Sequence, residues 1–422
     1  MRVLFTTAWY PNRKVAGDGV FIQKHAQAIA RLNDVAVLMV QTDVMVKGWQ
    51  IELCHHEASD SLHEVLVYVP KTRFELPVIT GLLRLMWLML GYLKGYRFIR
   101  RQYWQGQRPE VCHVNVLTRA AGLPWLLCKL HHIPYIITEH WTRYARPEAY
   151  PDSRMQLFFG RLFVRHAAYV CPVSYNLEQS MKQWQLDSRH YTRIGNVVDT
   201  DLFRLLSAEE SDSRHSNIVR FIHVSWMRDP AKNISGILRT LSQLNATRQD
   251  WHLDLIGEGN DKEMLMELAH TLGLEGQVSF LPAQQGETLA RTLRQHDAML
   301  MFSNHENQPV SILEALSCGL PVIATHIAAI PGMLAQKRGI TVEARNEAQL
   351  LEVLEHFIDM QRQVWQQDGH RGQVLAAQRH DYVVAHHSPQ VIAQQFDVLY
   401  HAAVSGARRK AVSKELRAEK EV

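Results

Sequence analysis

The chain has 422 residues, of which 46% are hydrophobic and 21% charged, and its formal net charge is +4 at pH 7. This length predicts two or three domains of roughly 150 to 200 residues each, and the composition is that of a globular protein. The small net charge gives no indication of nucleic-acid binding. The five cysteines are scattered and include no CxxC pair, which indicates buried thiols in a reducing compartment.

The first half of the chain alternates short apolar runs with helical patterns, which favours a parallel, doubly wound sheet. The first predicted strand, Arg2–Thr7, is not a basic region followed by a long apolar run, so we expect no signal peptide. Runs of about eighteen apolar residues are missing, and no membrane-spanning helix is expected. Further strands are predicted at Val35–Val40, Glu64–Val69, Val111–Val116, Tyr135–Thr138, Ala168–Pro172 and Tyr191–Ile194, with helices at Phe21–Leu32 and Ala120–Leu130.

The segment Pro77–Arg101 combines a dense apolar run with basic residues near its end. Its apolar part is Leu82–Leu90, and Arg97, Arg100 and Arg101 follow. One interpretation is an interfacial helix that presents apolar and basic groups to an anionic membrane. The other is a buried domain helix that is followed by an exposed basic turn. The sequence favours the two interpretations about equally.

The alternation of strands and helices starts again in the second half, which predicts a second doubly wound domain. The boundary is expected near Asn196–Ser213, where the polar stretch Ser207–Ser216 is expected to be a mobile connection. Ligands of such folds bind at the carboxyl ends of the strands. The predicted strands are Ile218–Val224, Trp251–Ile256, Val278–Leu281, Ala298–Phe302 and Pro321–Ala324, and the predicted helices are Ile234–Leu244, Lys262–Leu272, Glu287–Arg294 and Pro309–Cys318.

The stretch Ser303–Thr325 contains the most informative functional pattern. It places Glu306 and Glu314 eight residues apart, with a predicted helix start between them. Backbone N–H groups at a helix N-terminus attract anions, and a carboxylate accepts hydrogen bonds from sugar hydroxyls. Both features suit a ligand with phosphates and hydroxyls, such as a nucleotide sugar. The alternative is an ordinary surface loop before an amphipathic helix, since acids are common in first turns.

A functional metal site is not expected from the sequence. Adjacent histidine pairs such as His55-His56 do not share a helix face, and no Cys/His spacing of a zinc site occurs. Asp199-Thr200-Asp201 fits a D-x-D metal pattern, but it lies in the predicted connection between domains. We therefore interpret this tripeptide as structural.

The order of these motifs resembles the retaining glycosyltransferases of family 4, over most of the chain from about Met1 to Tyr400. Each motif is weakly specific alone, and their order and spacing carry the resemblance. It implies an α/β architecture with the GT-B fold, in which two Rossmann-like, doubly wound domains face each other across a cleft. The similar motifs are Ala8–Pro11 with Gly17–Phe21, Glu110–Asn115 with Pro134–His140, Gly195–Asp199, Val224–Asn233, Ile256–Gly259, and Glu306–Glu314 with Gly319–Thr325.

The resemblance implies different roles for successive parts of the chain. Residues 1–198 would form an N-terminal acceptor-binding domain, and residues 199–378 would form a C-terminal domain that binds the nucleotide sugar. A helix near residues 380–405 is expected to pack back on the first domain. Residues 406–422 are expected to form a tail.

The resemblance also implies the residues of a donor site in the second domain. Lys232, at the opening of a helix, would contact the diphosphate, and Ser225 would lie in the same phosphate loop. Glu306 would hold hydroxyls of the donor sugar, and Glu314 would accept hydrogen bonds from the ribose hydroxyls. In this interpretation Lys232 and Glu306 are catalytic residues.

Three further residues are implied in the first domain. His140 ends a predicted strand and would lie close to the donor sugar as the third catalytic residue. Gly17 and Gly19 would allow the first loop to come close to donor or acceptor.

The chain departs from the family pattern at the phosphate loop. Family members commonly have an arginine six residues before the lysine, where this chain has Trp226. Tryptophan cannot supply the donors of a guanidinium. We hypothesise that Arg228, two residues further on, replaces the charge from a different angle.

A second group of departures lies around the acidic motif. Pro309 is expected at the first helical position, where it lacks an N–H group, so Val310 and Ser311 are expected to supply the amides for the phosphate. Ala328-Ala329 stands where the family commonly has a glycine pair. These alanines either narrow the donor pocket or only pack, and both alternatives stay open.

The leading hypothesis is a hexosyltransferase-type enzyme (EC 2.4) that retains anomeric configuration by front-face attack. It would move a sugar from a UDP- or GDP-sugar to a glycan or lipid-linked oligosaccharide in bacterial surface polysaccharide biosynthesis. We expect no cofactor, no metal and no nucleic-acid partner. The expected location is cytoplasmic, peripheral on the inner face of the cytoplasmic membrane. The alternatives are a non-catalytic binding subunit with the same fold and a sugar-nucleotide epimerase, which would need an acid/base pair at C2 of the sugar.

Overall fold

The protein forms two compact units. The computed structural model describes residues 1–15, 17–71, 77–145, 154–207, 218–367 and 369–418. Unit 1 comprises Met1–Val197 together with Pro389–Val422, and unit 2 comprises Val198–Ser388. Each unit has its own sheet and its own hydrophobic cores, so the chain passes from the first unit to the second and back.

Unit 1 is built on a sheet of seven strands. They are β1 (Arg2–Thr7), β2 (Asp34–Asp43), β3 (Glu52–Ser59), β4 (Leu62–Pro70), β5 (Val111–Asn115), β6 (Tyr135–Glu139) and β7 (Tyr169–Pro172). Their order across the sheet is β3-β4-β2-β1-β5-β6-β7. All neighbours run parallel except the edge strand β3, which is antiparallel to β4. The central strands are buried on both faces, as expected for a parallel sheet covered by helices.

Helices cover both faces of this sheet. They are α1 (Val20–Ala30), α2 (Pro77–Gln102), α3 (Gly122–His131), α4 (Arg154–His166), α5 (Tyr175–Gln183) and, from the end of the chain, α14 (Pro389–Ala418). Alternate residues of a strand point to opposite faces. Leu4 packs in the core beneath α2, α3, α4 and α5, whereas Val3 and Phe5 pack in the core beneath α1 and α14.

Unit 2 has a sheet of six parallel strands. They are β8 (Val219–Val224), β9 (Trp251–Ile256), β10 (Val278–Leu281), β11 (Ala298–Met301), β12 (Val322–Thr325) and β13 (Gly339–Val342), in the order β10-β9-β8-β11-β12-β13. The sheet order reverses at β8, next to β11, which in such folds marks the ligand side of the sheet. The helices are α6 (Asp229–Lys232), α7 (Ile234–Asn245), α8 (Lys262–Thr271), α9 (Gly286–Arg294), α10 (Val310–Ser317), α11 (Ile330–Leu334), α12 (Glu347–Gln367) and α13 (Gly369–His387).

Most predicted strands and helices are confirmed. The predicted strand Tyr191–Ile194 was wrong, because Tyr191 alone forms a bridge, to Val170. The strands β3 and β13 and the helices α4, α5, α6, α11 and α12 were not predicted. The segment predicted as a mobile connection, Ser207–Ser216, lies outside the described residues except for Ser207.

The helix expected near residues 380–405 consists of two helices. α13 ends at His387 in unit 2, and α14 begins at Pro389 in unit 1. Proline is favoured at the first position of a helix, and it ends α13 because the preceding residue avoids helical geometry. α14 continues through Ala418, within the stretch that was expected to form a tail.

α2 shows features of both interpretations of the segment Pro77–Arg101. Trp87 and Ile99 are buried against the sheet, and a Cβ atom on Gly91 would lie 2.6 Å from Val40 Cγ1, so the helix packs closely. On its outer face, Leu82 and Met89 remain 64% and 55% exposed. Among the described residues, no helix is long and apolar enough to cross a membrane.

Candidate functional site

The loop that follows β8 in unit 2, with the short helix α6, holds three of the predicted donor-site residues, Ser225, Arg228 and Lys232. Ser225 N–H donates to Ile256 O, and Met227 N–H donates to Glu258 O at 2.7 Å. A Cβ atom on Gly257 would lie 1.9 Å from Ser225 O. Glycine is therefore required in the predicted turn after β9, because the two backbones pass too closely for a side chain.

The structure brings Lys232 and Glu306 together although they are 74 residues apart in the chain. Lys232 Nζ lies 2.6 Å from Glu306 Oε1, and the two side chains are 21% and 8% exposed. Ser303 Oγ donates to the same carboxylate oxygen at 2.8 Å. Within the described parts of the chain, Oε2 of Glu306 accepts no hydrogen bond and can receive a ligand hydroxyl.

Backbone hydrogen bonds fix this pair. Lys232 ends the short helix α6, where Asn233 adopts φ 51° and redirects the chain into α7. The N–H groups of Asn304 and His305 donate to Ala231 O at 2.9 and 3.2 Å. The acidic loop is therefore attached to the helix that carries the lysine.

His223, in β8, is a member of the site that the sequence did not indicate. Burial lowers its pKa to about 4, so the ring is neutral at neutral pH. Its Nδ1 lies 2.8 Å from Leu300 O, which can only accept, so Nδ1 carries the proton. Its Nε2 then accepts from Ser225 Oγ at 2.7 Å. The sequence missed His223 because no spacing pattern distinguishes a site histidine inside a buried strand from an ordinary core residue.

This tautomer limits what Ser225 can offer a ligand. Its N–H donates to Ile256 O and its hydroxyl proton to His223, so the side chain presents oxygen lone pairs alone. In this arrangement Ser225 can accept from a ligand hydroxyl but does not donate to a phosphate.

Trp226 and Arg228, the residues at the departure from the family pattern, both project from this loop. Trp226 is 59% exposed, and Arg228 is exposed at the residue before α6. The proposed replacement of the missing arginine by Arg228 stays a hypothesis.

α10 presents its free N–H groups next to the acidic loop. Pro309 was predicted to be the first helical residue, and this was wrong. Pro309 has ψ 121° and precedes the helix, which begins at Val310. The N–H groups of Val310 and Ser311 belong to the first turn of the helix, where N–H groups have no acceptor within the helix. Glu314, in the second turn, is 7% exposed.

The alanines that stand in place of the family glycines differ in backbone conformation. Ala328 adopts φ 48°, a left-handed conformation that favours glycine, whereas Ala329 has φ −83°. Ala329 N–H donates to Asn307 O at 3.2 Å, and its side chain packs on the core of unit 2. This turn is thereby attached to the acidic loop.

Unit 1 contains the remaining predicted site residues. Gly19 has φ 63°, and a Cβ atom there would lie 2.6 Å from the carbonyl carbon of Trp9. Gly17 is exposed. His140 follows β6, with Nδ1 3.1 Å from Asn196 Oδ1. Burial, with the nearby His25, holds the pKa of His140 well below its usual range, so the ring is neutral.

The residue before His140 is a buried carboxylate that sequence reasoning missed. Glu139 accepts hydrogen bonds from the N–H groups of Leu117, His140 and Trp141 at 2.7 to 2.9 Å. Burial nevertheless raises its pKa to about 7. It joins the chain segments that follow β5 and β6.

The D-x-D tripeptide has a local structural role. Asp199 Oδ1 accepts the N–H groups of Asp201 and Leu202 at 3.2 Å each, which closes a turn. In the described portion of the protein, no three His, Cys, Asp or Glu side chains group as metal ligands. That the activity requires no metal stays a prediction.

Two family models match successive parts of the chain. Residues 19–197 match the "Glycosyl transferase 4-like domain", and residues 219–371 match "Glycosyl transferases group 1". Among curated proteins, the N-acetyl-alpha-D-glucosaminyl L-malate synthase of Bacillus anthracis is 24% identical over 237 residues, which are 54% of this chain and 60% of that protein. The lipopolysaccharide 1,6-galactosyltransferase of Escherichia coli K12 is 26% identical over 41% of this chain and 48% of that protein.

The matched segments thus span about half to three fifths of those two relatives. The putative teichuronic acid biosynthesis glycosyltransferase TuaC of Bacillus subtilis is 20% identical over 86% of this chain and 90% of that protein.

Solved structures agree on the fold. A sucrose-phosphate synthase from Thermosynechococcus elongatus superposes with a TM-score of 0.73 at 15% identity, covering 96% of this chain and all of that one. HepE from Anabaena, in complex with UDP-glucose, gives 0.68 at 16% identity over 95% of this chain and 100% of that one. Because the two family models between them match most of the chain, the protein belongs to the group 1 and 4-like glycosyl transferases, with two Rossmann-like domains in the GT-B fold.

Proposed function

We propose that the protein transfers a sugar from a UDP- or GDP-sugar to a glycan or lipid-linked oligosaccharide. The Lys232–Glu306 pair carries the proposal. The ammonium group at the end of α6 lies 2.6 Å from the carboxylate of Glu306, which is four residues before α10. A cation, free backbone N–H groups and carboxylates within one short region suit a ligand that has both phosphates and hydroxyls.

Each group has a distinct role in this proposal. Negative charge develops on the departing diphosphate, and the ammonium of Lys232 with the N–H groups of Val310 and Ser311 would stabilise it. Glu306 would hold the ammonium with Oε1 and a sugar hydroxyl with Oε2. Glu314 would accept hydrogen bonds from the ribose hydroxyls.

We further propose that the configuration at the anomeric carbon is retained. The acceptor oxygen forms its bond on the same face from which the diphosphate departs, and a diphosphate oxygen takes the acceptor's proton. His140, neutral and held by Asn196, would be an orienting group for the sugar. Lys232 and the helix N–H groups supply positive charge at the diphosphate, so the proposal includes no metal ion.

The names of similar proteins support the donor and the setting. HepE was solved with UDP-glucose, and relatives are named for lipopolysaccharide and teichuronic acid synthesis. We therefore propose a role in bacterial surface polysaccharide synthesis, on the cytoplasmic face of the membrane.

The test is nucleotide-dependent thermal stabilisation. A nucleotide at 100 times its Kd stabilises by about 2.7 kcal/mol, which raises Tm by about 7 °C for a unit of this size. We expect this rise with UDP or GDP and not with ADP or CMP, and loss of most of it in Lys232→Ala. Lys182→Ala is the matched control, because Lys182 pairs with Glu178 at the same 2.6 Å in unit 1.

Incubation with the matching nucleotide sugar and acceptor should then release free nucleoside diphosphate. No rise in Tm with any nucleotide would reject the donor site and favour the non-catalytic binding subunit. Binding without release of nucleoside diphosphate would reject glycosyl transfer, and isomerisation of the sugar at C2 would identify an epimerase.

A further inference from the structure

An arginine at the carboxyl edge of the unit 1 sheet has no partner for its charge. Arg119 comes shortly after β5 and begins a short 3-10 turn, Arg119–Ala121. Its guanidinium group makes no hydrogen bond and no ion pair with any residue that the structure describes. A guanidinium group has five N–H donors, so this side chain is available to an acceptor from outside the protein.

The surroundings of Arg119 do not stabilise its positive charge. Part of the residue is open to solvent, but burial by the protein around it lowers the pKa of Arg119, and the positive charge of Arg84 in α2 lowers that pKa further. Arg84 likewise has no hydrogen bond or ion pair to the described part of the chain. The two arginines therefore repel each other without an ion pair to offset the repulsion, and a bound anion would stabilise both.

A buried hydroxyl group lies close to these arginines. Tyr92 of α2 is 5% exposed, and its Oη has no hydrogen-bond partner among the described residues. Burial raises the pKa of Tyr92 and the charge of Arg119 opposes that rise, so the hydroxyl lies within electrostatic reach of the guanidinium group and keeps its proton at neutral pH. Buried polar groups are nearly always paired, and this hydroxyl is a free donor beside an unpaired cation.

The end of β1 provides another unpaired hydroxyl on the same face of the sheet. Thr6 is fully buried, and within the described ranges its Oγ1 has no partner. Because alternate residues of a strand share a face, Thr6 lies on the face of Leu4, which packs in the same core as Tyr92. β1 and β5 are parallel neighbours, so their carboxyl ends adjoin, and this is the edge at which doubly wound sheets bind ligands.

The loop that carries Arg119 is held in a strained conformation. Val116, the first residue after β5, has φ 63°, which a β-branched residue rarely adopts. The N–H groups of Val116 and Leu117 donate to Thr138 O and Glu139 Oε2 at 2.9 and 2.7 Å. Such strain persists only where the surrounding structure enforces it, and it is concentrated at functional sites.

We infer that Arg84, Tyr92 and Arg119 form a subsite that binds a phosphate monoester of the acceptor. Two guanidinium groups and a hydroxyl supply several donors to one tetrahedral group, and their two positive charges match a dianion. The donor diphosphate is assigned to unit 2, so a phosphate in unit 1 belongs to the other substrate. That assignment to the acceptor rests on the glycosyl transfer proposed above, whereas phosphate binding at the subsite does not.

Thermal unfolding of the full chain tests the subsite. Tm is measured with inorganic phosphate, methyl phosphate and dimethyl phosphate, each against sodium chloride at the same ionic strength, so that general screening of charge cancels. The variants are Arg84→Gln, Tyr92→Phe and Arg119→Gln. Each is measured alone and combined with Lys232→Ala, which removes the proposed diphosphate contact in unit 2.

The same helix offers matched controls for two of these variants. Arg97 is another exposed arginine of α2 without a hydrogen bond or ion pair in the described part of the protein, and it lies about 20 Å further along the helix than Arg84. Tyr96 is a second buried tyrosine whose hydroxyl lacks a described partner, one turn after Tyr92. Its neighbouring arginine, Arg100, already donates to Gly106 O. The controls are therefore Arg97→Gln and Tyr96→Phe.

We expect inorganic phosphate at about ten times its Kd to raise Tm by about 4 °C, both in the wild type and in Lys232→Ala. Arg84→Gln and Arg119→Gln should each remove most of this rise and Tyr92→Phe about half, whereas both controls should keep it. In chloride, Arg119→Gln should not lower Tm, because it removes a charge that the fold does not stabilise. Methyl phosphate should act like inorganic phosphate, and dimethyl phosphate, with one charge, should raise Tm less.

Four results would overturn the inference. They are no rise in the wild type, a rise that persists in Arg119→Gln, a rise that Lys232→Ala abolishes, and a larger rise with dimethyl phosphate than with methyl phosphate. The UDP or GDP thermal shift is measured on the same samples and should persist in Arg119→Gln. Its absence from the wild type would reject the donor site while leaving the phosphate result unaffected.

Discussion

In the proposed donor site, the hydrogen bonds of a single carboxylate would determine how unit 2 holds the sugar. Glu306 Oε1 accepts from both Lys232 Nζ and Ser303 Oγ, at 2.6 and 2.8 Å. Because Oε1 already accepts two hydrogen bonds, a sugar hydroxyl would donate to the other carboxylate oxygen, Oε2. A bound diphosphate would share the ammonium with Glu306, because lysine has three N–H donors.

Ala328 and Ala329 give opposite predictions for the same substitution. Ala328→Gly should stabilise unit 2 by about 0.5–1 kcal/mol, because it removes the left-handed penalty at φ 48°. Ala329→Gly should destabilise unit 2 by about 0.5–1 kcal/mol. Ala329 has φ −83°, so glycine relieves no strain there and only increases the conformational entropy of the unfolded chain. Thermal unfolding should show Tm rising by about 2 °C in the first variant and falling in the second. Equal shifts in both would contradict a backbone origin.

At the scale of secondary structure, Glu139 joins the ends of two strands. Leu117 lies just beyond β5, and His140 and Trp141 lie just beyond β6, where their N–H groups no longer have strand partners. Glu139 accepts all three. The position of His140 therefore depends on a carboxylate in the core.

Glu139→Gln should change how stability depends on pH. The folded pKa is about 7 and the ordinary value 4.5, so between these values the folded state holds the proton more often than the unfolded state. The contribution of Glu139 is fully present below pH 4.5 and is lost as pH rises to about 7. Urea unfolding at pH 5, 6, 7 and 8 should show the wild type losing on the order of 1 kcal/mol per pH unit relative to Glu139→Gln below pH 7. A constant difference across this range would show that the carboxyl titrates at its ordinary pKa.

The sequence predicted those elements that show a pattern within a short stretch of the chain, and it missed those that depend on contacts between distant residues. The alternation of apolar runs predicted most strands of both sheets, because parallel strands are buried on both faces. The strand β3 was missed because Glu52–Ser59 is largely polar and exposed, and its strand geometry comes from pairing with β4. The local pattern in Ser303–Thr325 indicated Glu306, whereas Lys232 was named only through a family resemblance. No local pattern predicts that the two residues pair, since they are 74 positions apart.

At the scale of the whole molecule, unit 1 is assembled from both ends of the chain. Ile392, Phe396 and Tyr400 of α14 are fully buried in the core beneath α1. Tyr400 Oη and Thr138 Oγ1 each lie 2.7 Å from a ring nitrogen of His113. Unit 1 therefore completes its core only when a segment from beyond unit 2 has been added.

Phe396→Ala should destabilise unit 1 by about 3–5 kcal/mol, the usual loss for a buried phenylalanine, because it opens a cavity under α14. Val398→Ala is the matched control on the same helix, since Val398 is 66% exposed and its loss should stay within about 0.5 kcal/mol. Urea unfolding measures both free energies. The residues proposed to bind the diphosphate and the ribose lie in unit 2, which is one continuous segment of chain, so Phe396→Ala should retain the UDP or GDP thermal shift. If Phe396→Ala lowers the free energy of unfolding no more than Val398→Ala does, unit 1 is stable without the packing of α14. That result would contradict the conclusion that α14 completes the core of unit 1.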